Sequence, residues 1–402
     1  MNILQIHNGY QQPGGEDVVV AQERRLLERR GHKVSLYHRS NHELETLSFR
    51  QRCRLITRIV SASDSRLAVR ALLRELKPDV VHVHNTFAMV SPGIYEVCHE
   101  ENAPVVQTLH NYRVLCPAST LYRDGASCEE CVRHGLLSSV RHGCYHDSRA
   151  MSAAIALMLQ VHRSRNTWDQ HIDAYIALSN FARNKFVEAG IAPQKIHVKP
   201  NFVEPDPGER SHPGTYAVFV GRLSPEKGAQ TLLEAWQDLP AKIPLVIVGD
   251  GPMRPRLEAE AQKKKLANIA FAGRMDRGAV YQVMKSAAFV VVPSVWWEPF
   301  GLVVAEALAC GTPVLGASVG AIPEMLQDYV TGLHFAPGDP ISLRAKAAWA
   351  WKHLPELAAM GKAARQAYLD CYSAEVNYSL LMNIYASAID IRTRSKPFAA
   401  AA

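Results

Sequence analysis

The sequence predicts an α/β protein built from two doubly wound, parallel-sheet domains in tandem. Three observations carry this. Strand-like apolar runs alternate with helix-like amphipathic stretches through most of the 402 residues, the pattern of βα units. That length matches two domains at roughly 100–200 residues each. A segment rich in turn formers interrupts the alternation once: PNFVEPDPGERSHPGT, residues 200–215, holds four prolines and two glycines and reads as a linker.

In the first domain, 1–200, NILQIH opens as a strand, a helical pattern follows from about Glu16 to Arg30, and KVSLYH resumes the sheet. DVVHVH before Asn85, PVVQTLH ending at His110 and AYIALS ending at Ser179 are further strands. An insertion-like stretch, about 111–147, breaks the periodicity. The second domain, 201–373, reads YAVFVGR, IPLVIVGD, NIAFAGR, AAFVVVPS and TPVLGAS. A last helical stretch, 374–402, is expected to cross back to the first domain and to end in a loose tail from Lys396. Two such domains would place the C-terminal ends of their strands across a cleft, where open α/β sheets bind ligands.

Composition narrows the class. Hydrophobic residues make up 48%, ordinary for a chain with real cores. The start MNILQIHNGY has no basic n-region or long apolar run, so it reads as a strand and not as a signal peptide. The longest apolar stretch, Ala153 to Val161, falls far short of the ~20 residues that cross a bilayer. A cytoplasmic protein is expected, with a peripheral place at the inner membrane face as an option. Net charge is +7, and residues 1–200 carry most of it, 25 Lys/Arg against 19 Asp/Glu. Between residues 50 and 77, Arg50, Arg52, Arg54, Arg58, Arg66, Arg70, Arg74 and Lys77 meet only Asp64 and Glu75. Such an excess suits an anionic partner or a solvated helix face. The helical pattern from Arg149 to Trp168 carries Met151, Ile155, Leu157, Met158 and Val161 among arginines. It suits an anionic membrane surface or burial in the domain. No nucleic-acid partner is expected.

Two segments carry the chemistry. VGRLSPEKG, Val220 to Gly228, ends a strand and starts a helix near Pro225. Arg222 offers a planar fork and Lys227 a point charge beside that helix start, a setting for a diphosphate. VPSVWWEPFGLVVAEALACGTPVLGA, Val292 to Ala317, places Glu298 in a loop, Gly301 at a helix start and Glu306 in its second turn. Gly301 allows close approach of backbone amides, and the helix N-terminus favours anions. Two carboxylates there suit the hydroxyls of a ribose and a hexose.

Glu298 to Glu306 matches the E-x7-E signature of retaining GT-B glycosyltransferases, and the chain resembles family 4 of that group. The matching blocks are GRLSPEKG, VGDGP at Val248 to Pro252, FAGR at Phe271 to Arg274, EPFGLVVAEALACGTPV, VGAIPE at Val319 to Glu324 and TGL at Thr331 to Leu333. HNGYQQPGGED, HVHN and TLHNYR resemble the family more loosely. The resemblance implies a GT-B architecture, two Rossmann-like domains facing across a cleft. It implies that Arg222 and Lys227 hold the donor diphosphate and that Glu306 binds the ribose. Glu298, with the amides of Phe300, Gly301 and Leu302, would hold the transferred sugar. The loop at Gly273 and Arg274 would face the base. Gly14 and Gly15 would let backbone amides reach the diphosphate, and His110 would contact the sugar near the reaction centre. Asn111 replaces the acidic residue often found beside that histidine, which weakens a general base there.

The implied reaction is sugar transfer from a UDP- or GDP-sugar to a glycan or lipid-linked acceptor, in cell-surface polysaccharide synthesis. Retention would come by front-face attack, without the two-carboxylate glycosidase scheme. No catalytic metal or other cofactor is expected. A nicotinamide oxidoreductase would want GxGxxG after a first strand, which neither HNGYQQPGGED nor VGDGPMRP supplies. A sugar-nucleotide epimerase-like relative or a non-catalytic nucleotide-sugar-binding subunit are the alternatives.

Cysteines divide into two groups. Cys53, Cys98, Cys310 and Cys371 are scattered, whereas Cys116-x11-Cys128-x2-Cys131-x12-Cys144 lies in the insertion. The CxxC with two flanking thiols resembles a structural zinc site, with His134, His142 and His146 nearby. Ordinary reduced thiols are the other reading.

Overall fold

A computed structural model describes residues 1–11, 14–45, 55–212, 214–239 and 243–394. Arg50, Arg52, Arg54, Cys53 and the tail from Lys396 lie outside the described residues, as do Gln12 and Pro13 of the glycine loop.

The chain divides into two compact units. The first takes Met1–Leu121, Glu129–Lys199 and the chain from Tyr378; the second takes Tyr122–Cys128 and Pro200–Asn377. Each contains one six-stranded sheet, and every strand pair within those sheets is parallel.

In the first unit the strands are β1 (Asn2–Gly9), β2 (Lys33–Ser40), β3 (Val80–Asn85) and β4 (Val105–Leu109), then β7 (Ala174–Ala177) and β8 (Ile196–Val198). They lie in the order β2-β1-β3-β4-β7-β8. A separate antiparallel pair, β5 (Tyr122–Arg123) and β6 (Ala126–Ser127), forms a short hairpin. All of β3, β4 and β7 is buried, as expected of parallel strands covered on both faces. The helix Gly15–Arg29 buries Val19, Val20, Leu26 and Leu27 on one stripe, with Glu23 and Gln22 in the same stripe. The final helix Ala374–Arg394 fixes itself to this unit through three polar contacts. Tyr378 Oη meets His32 Nε2 at 2.9 Å, Tyr385 Oη meets His82 Nδ1 at 2.8 Å, and Arg392 donates to Asp173 from two nitrogens at 3.2 and 3.0 Å.

In the second unit β9 (Ala217–Val220), β10 (Leu245–Val248), β11 (Ile269–Gly273), β12 (Phe289–Val292), β13 (Val314–Ala317) and β14 (Gly332–Phe335) lie in the order β11-β10-β9-β12-β13-β14. Numbered within the unit this is 3-2-1-4-5-6, the Rossmann order, whose direction of winding reverses between β9 and β12. Ligands of such sheets sit beyond the strand ends at that reversal. The loops that follow β9 and β12 are GRLSPEKG and PSVWWEPFG, so the topology brings together the two segments that the sequence singles out. The corresponding reversal in the first unit lies between β1 and β3.

One sequence expectation needs correcting. The helix does not begin at Pro225. A single 3-10 turn, Pro225–Lys227, comes first, and the helix Ala229–Gln237 starts after Gly228. Gly228 adopts φ +70, and a Cβ there would lie 1.7 Å from the Pro293 carbonyl oxygen. The loop after β12 packs so closely on this turn that only glycine fits, and the left-handed residue breaks the helix from the turn.

Candidate donor site

Five loops of the second unit are knitted by their backbones. Gly221 N–H donates to Val248 O at 3.0 Å and Leu223 N–H to Asp250 O at 2.9 Å. Gly249 N–H donates to Gly273 O at 2.8 Å, which ties GRLSPEKG, VGDGP and FAGR into one layer. Val295 N–H donates to Glu226 O at 3.0 Å, and Ala321 N–H to Glu298 O at 2.9 Å. These bonds join the loops after β12 and β13 to the same layer. Backbone contact this close explains the glycines: a Cβ at Gly249 would lie 1.9 Å from Gly221 O.

On this scaffold Lys227 Nζ donates to Glu298 Oε1 at 2.5 Å, and Ser294 Oγ donates to the same oxygen at 2.8 Å. Lys227 Nζ also lies 5.2 Å from the Trp296 ring centroid, within cation–π range. Glu298 is 6% exposed and held in a single place by two donors. Arg222, one turn earlier, is exposed, and among the described residues its guanidinium has no hydrogen-bond or ion-pair partner. One cation is thus pre-positioned and one is free to wrap an anion.

Gly301 caps the helix Leu302–Ala309 with no side-chain hydrogen bond, and Phe300 and Gly301 are buried. Glu306 sits in that helix at 8% exposure, 3.2 Å from the Arg277 guanidinium. Burial pushes its carboxyl up to about 7, against the pull of Arg277. Arg274 is exposed at the end of β11, and Gly273 holds φ +72. Sequence reasoning missed Arg277 and Ser294. Ser294 lies inside the quoted Val292–Ala317 segment but carries no mark of its own there, and only the fold brings Arg277 from its own helix to Glu306.

The first unit shows a different state. Gly14 caps the helix Gly15–Arg29, and its N–H already donates to Asp17 Oδ2 at 2.7 Å. Asp17 also meets His7 Nε2 at 2.9 Å. Glu16 Oε2 accepts from Tyr10 Oη at 2.9 Å, and burial raises its carboxyl to about 7. The Gly14 and Gly15 loop is therefore exposed but partly self-capped by acids of its own first turn. Asn111 Nδ2 donates to Tyr10 Oη at 3.2 Å. His110 Nε2 faces His84 Nδ1 at 3.0 Å, and His110, Asn111, Arg113, Phe87 and Trp168 line a cavity of about 40 Å³.

Among the described residues, the only group of three or more ligand-type side chains is Glu23, His82 and His84. Cys131 instead packs in an apolar cluster with Ile59, Leu136, Ile155, Met158 and Leu159, while Cys116 is buried and Cys128 and Cys144 are half-buried. The basic stretch is less bare than its sequence. Arg58 meets Asp64 at 2.5 Å, but Arg66 pairs with Glu96 at 3.1 Å, Arg70 with Glu100, and Arg74 with Glu101 at 2.7 Å. Those acids come from the helix Ile94–Glu100 and the residue after it, beyond any local window of sequence. In the helix Arg149–Ser164, Ile155 and Met158 are buried, and Met151 and Leu157 are exposed. Among the described residues, no helix is long and apolar enough to cross a membrane.

The family model for group 1 glycosyl transferases matches residues 204–367, and the model for glycosyltransferase family 4 matches residues 13–207. Together they run almost end to end along the chain. The chain belongs to glycosyltransferase family 4. An uncharacterized glycosyltransferase of Methanocaldococcus jannaschii is 28% identical over 66% of this chain and 64% of its own length. The D-rhamnosyltransferase WbpZ of Pseudomonas aeruginosa is 30% identical over 40% of this chain and 42% of its own length. The chain thus spans less than two thirds of either relative. Among solved structures, sucrose-phosphate synthase of Thermosynechococcus elongatus superposes with a TM-score of 0.70 at 19% identity, covering 97% of this chain and 99% of that one. Anabaena HepE in complex with UDP gives 0.68 at 18% identity, over 96% and 100%. These likenesses show the GT-B fold, and the family 4 chain carries its two Rossmann-like domains.

Proposed function

We propose that this chain is a retaining glycosyltransferase that moves a sugar from a nucleoside-diphosphate sugar, UDP favoured over GDP, to a glycan or lipid-linked acceptor in polysaccharide synthesis. The observation that carries the proposal is the joining of Lys227 to Glu298 at the Rossmann reversal point, with exposed Arg222 beside them. The solved structures of the same fold that hold UDP, and UDP with glucose, favour the uridine donor.

In the proposed reaction the bond between sugar C1 and the β-phosphate oxygen breaks, and its electron pair stays on that oxygen. Lys227, Arg222 and the amides at Gly301 and Leu302 meet the developing charge, the arrangement that contributes most to transfer reactions of this kind. The acceptor hydroxyl oxygen bonds to C1 from the same face and passes its proton to the departing phosphate. Glu298 accepts from sugar hydroxyls, and its engagement with Lys227 and Ser294 leaves it poorly placed as a nucleophile. Glu306 accepts from the ribose. The reading assigns no step to a metal. Incubating the protein with UDP- and GDP-sugars and a glycan acceptor mixture, and following the anomeric proton by NMR, tests it: product of inverted configuration would overturn the retaining mechanism.

Glu306 adds a pH dependence. Burial raises its carboxyl from 4.5 to about 7. The neutral form is therefore favoured by folding, and that contribution is present below pH 4.5 and lost as pH rises through about 7. Ribose hydroxyls need the ionised form as acceptor. Donor binding should therefore tighten between pH 5.5 and 8 and release a proton near pH 6. Calorimetry in two buffers of different ionisation heat reads that proton directly; a proton count of zero would remove Glu306 from the ribose.

A further inference from the structure

A chain of buried polar side chains runs behind His110 in the first unit. Glu23, in the apolar stripe of the helix Gly15–Arg29, is fully buried. It accepts from Lys199 Nζ at 3.2 Å and Gln5 Nε2 at 3.3 Å, and His82 Nδ1 lies 2.9 Å from it. His82 Nε2 meets Thr108 Oγ1 at 2.8 Å, so both of its ring nitrogens are satisfied. His84 Nε2 faces Glu23 Oε1 at 3.4 Å, close enough to feel its charge but without hydrogen-bond geometry, and His84 Nδ1 faces His110 Nε2 at 3.0 Å. Glu23, His82 and His84 have ligand-type atoms within 4.8 Å of one another. The Lys199 ammonium already supplies the positive charge at Glu23, however, and a metal ion would be set against it.

The order of donors along this chain is fixed at one end. Burial would raise the Glu23 carboxyl, but His82 and Lys199 hold it well below the usual range, and a carboxylate only accepts. His84 is buried, and burial lowers its ring to about 3, so it is neutral and has one N–H. Placing that hydrogen on Nδ1 would leave the Nε2 lone pair against the carboxylate, a buried acceptor facing an acceptor. The hydrogen therefore belongs on Nε2, and Nδ1 must accept. His110 must then donate from Nε2. Its own ring is held neutral by burial.

We infer that Glu23 and His84 are positioning residues that lock His110 as the Nε2–H tautomer and leave its Nδ1 as a hydrogen-bond acceptor for a substrate hydroxyl. Among the described residues His110 forms its hydrogen bond through Nε2, and no partner faces its Nδ1. A sugar hydroxyl can donate to it, whereas a carboxylate would meet a lone pair, so a neutral hexose is preferred to a uronic acid at this point. The inference rests on the proposed transfer reaction for its ligand, but the tautomer itself does not depend on activity.

Long-range proton–nitrogen NMR on histidine-labelled full-length protein reads the tautomer, with the His110 and His84 signals assigned from His110→Gln and His84→Asn. The wild type should show Nε2–H for both rings. His84→Leu, which removes the acceptor, should release His110 to a tautomer mixture and lower kcat/KM by about 10²-fold. His84→Asn puts an amide oxygen where Nδ1 lay, and should restore the single tautomer and most of the rate. Nδ1–H on His110 in the wild type would overturn the inference, even if the variants failed to fold. So would an unchanged tautomer in folded His84→Leu. A wild type with the expected tautomer but no transfer from any donor would instead overturn the functional reading.

Discussion

Lys227→Ala should lower sugar transfer by about 10²- to 10³-fold while the protein keeps its fold. A single preorganised donor aimed at developing negative charge has an effect of this size. Lys227 is such a donor, fixed by Glu298 at 2.5 Å and by the Trp296 ring, at the loop where the leaving diphosphate would sit. Its removal takes away the charge and also frees Glu298, which keeps only Ser294 Oγ at 2.8 Å. Both effects act on the transition state, so kcat should fall more than KM rises. Thermal unfolding should shift modestly downward, because Lys227 is partly exposed and holds no backbone but leaves the buried Glu298 carboxylate without its cation. Transfer rates for the variant and wild type under saturating donor decide the point. Wild-type rate in a folded Lys227→Ala protein would mean that the diphosphate is bound elsewhere.

Gly228→Ala should do the reverse, lowering stability and activity together. The residue holds φ +70, and the added Cβ would come within 1.7 Å of Pro293 O. The left-handed conformation alone costs an L-residue about 1–2 kcal/mol, and the clash cannot be relieved by a side-chain rotation, since the neighbour is backbone. The chain must therefore shift the turn carrying Lys227 away from the loop carrying Glu298. Denaturant unfolding should show a lower midpoint with an unchanged slope, and donor affinity should fall even in the folded fraction. An alanine variant with wild-type midpoint and affinity would show that the two loops do not need this contact.

The comparison between sequence and structure turns on these same residues. Strand after strand was legible, because parallel strands buried on both faces read as apolar runs, as AVFV, LVIV and FVVV do in β9, β10 and β12. The candidate site of the second unit could be proposed from sequence because its residues are local: Arg222 and Lys227 share one turn, and Glu298 and Glu306 one loop and helix. Arg277 was not, because its pairing with Glu306 spans two helices and leaves no mark of spacing. Glu23 was hidden for the opposite reason. A glutamate in a helical stripe looks like a surface residue until Lys199 and His82 are brought to it from other elements. The cysteine spacing leaves zinc and ordinary thiols equally readable, because it cannot reveal that Cys131 also fills a hydrophobic position. The counter-charges of the basic stretch, Glu96, Glu100 and Glu101, were not legible beside it because they arrive from a later helix and the residue after it.

Equilibrium binding of UDP and GDP to the wild-type chain, measured by calorimetry at pH 8, tests the central claim most directly. A saturable site of one nucleotide per chain, tighter for UDP and weakened by Lys227→Ala, is the predicted result. No saturable binding of either nucleotide would contradict the assignment of a nucleotide-sugar donor to the Lys227 and Glu298 loops.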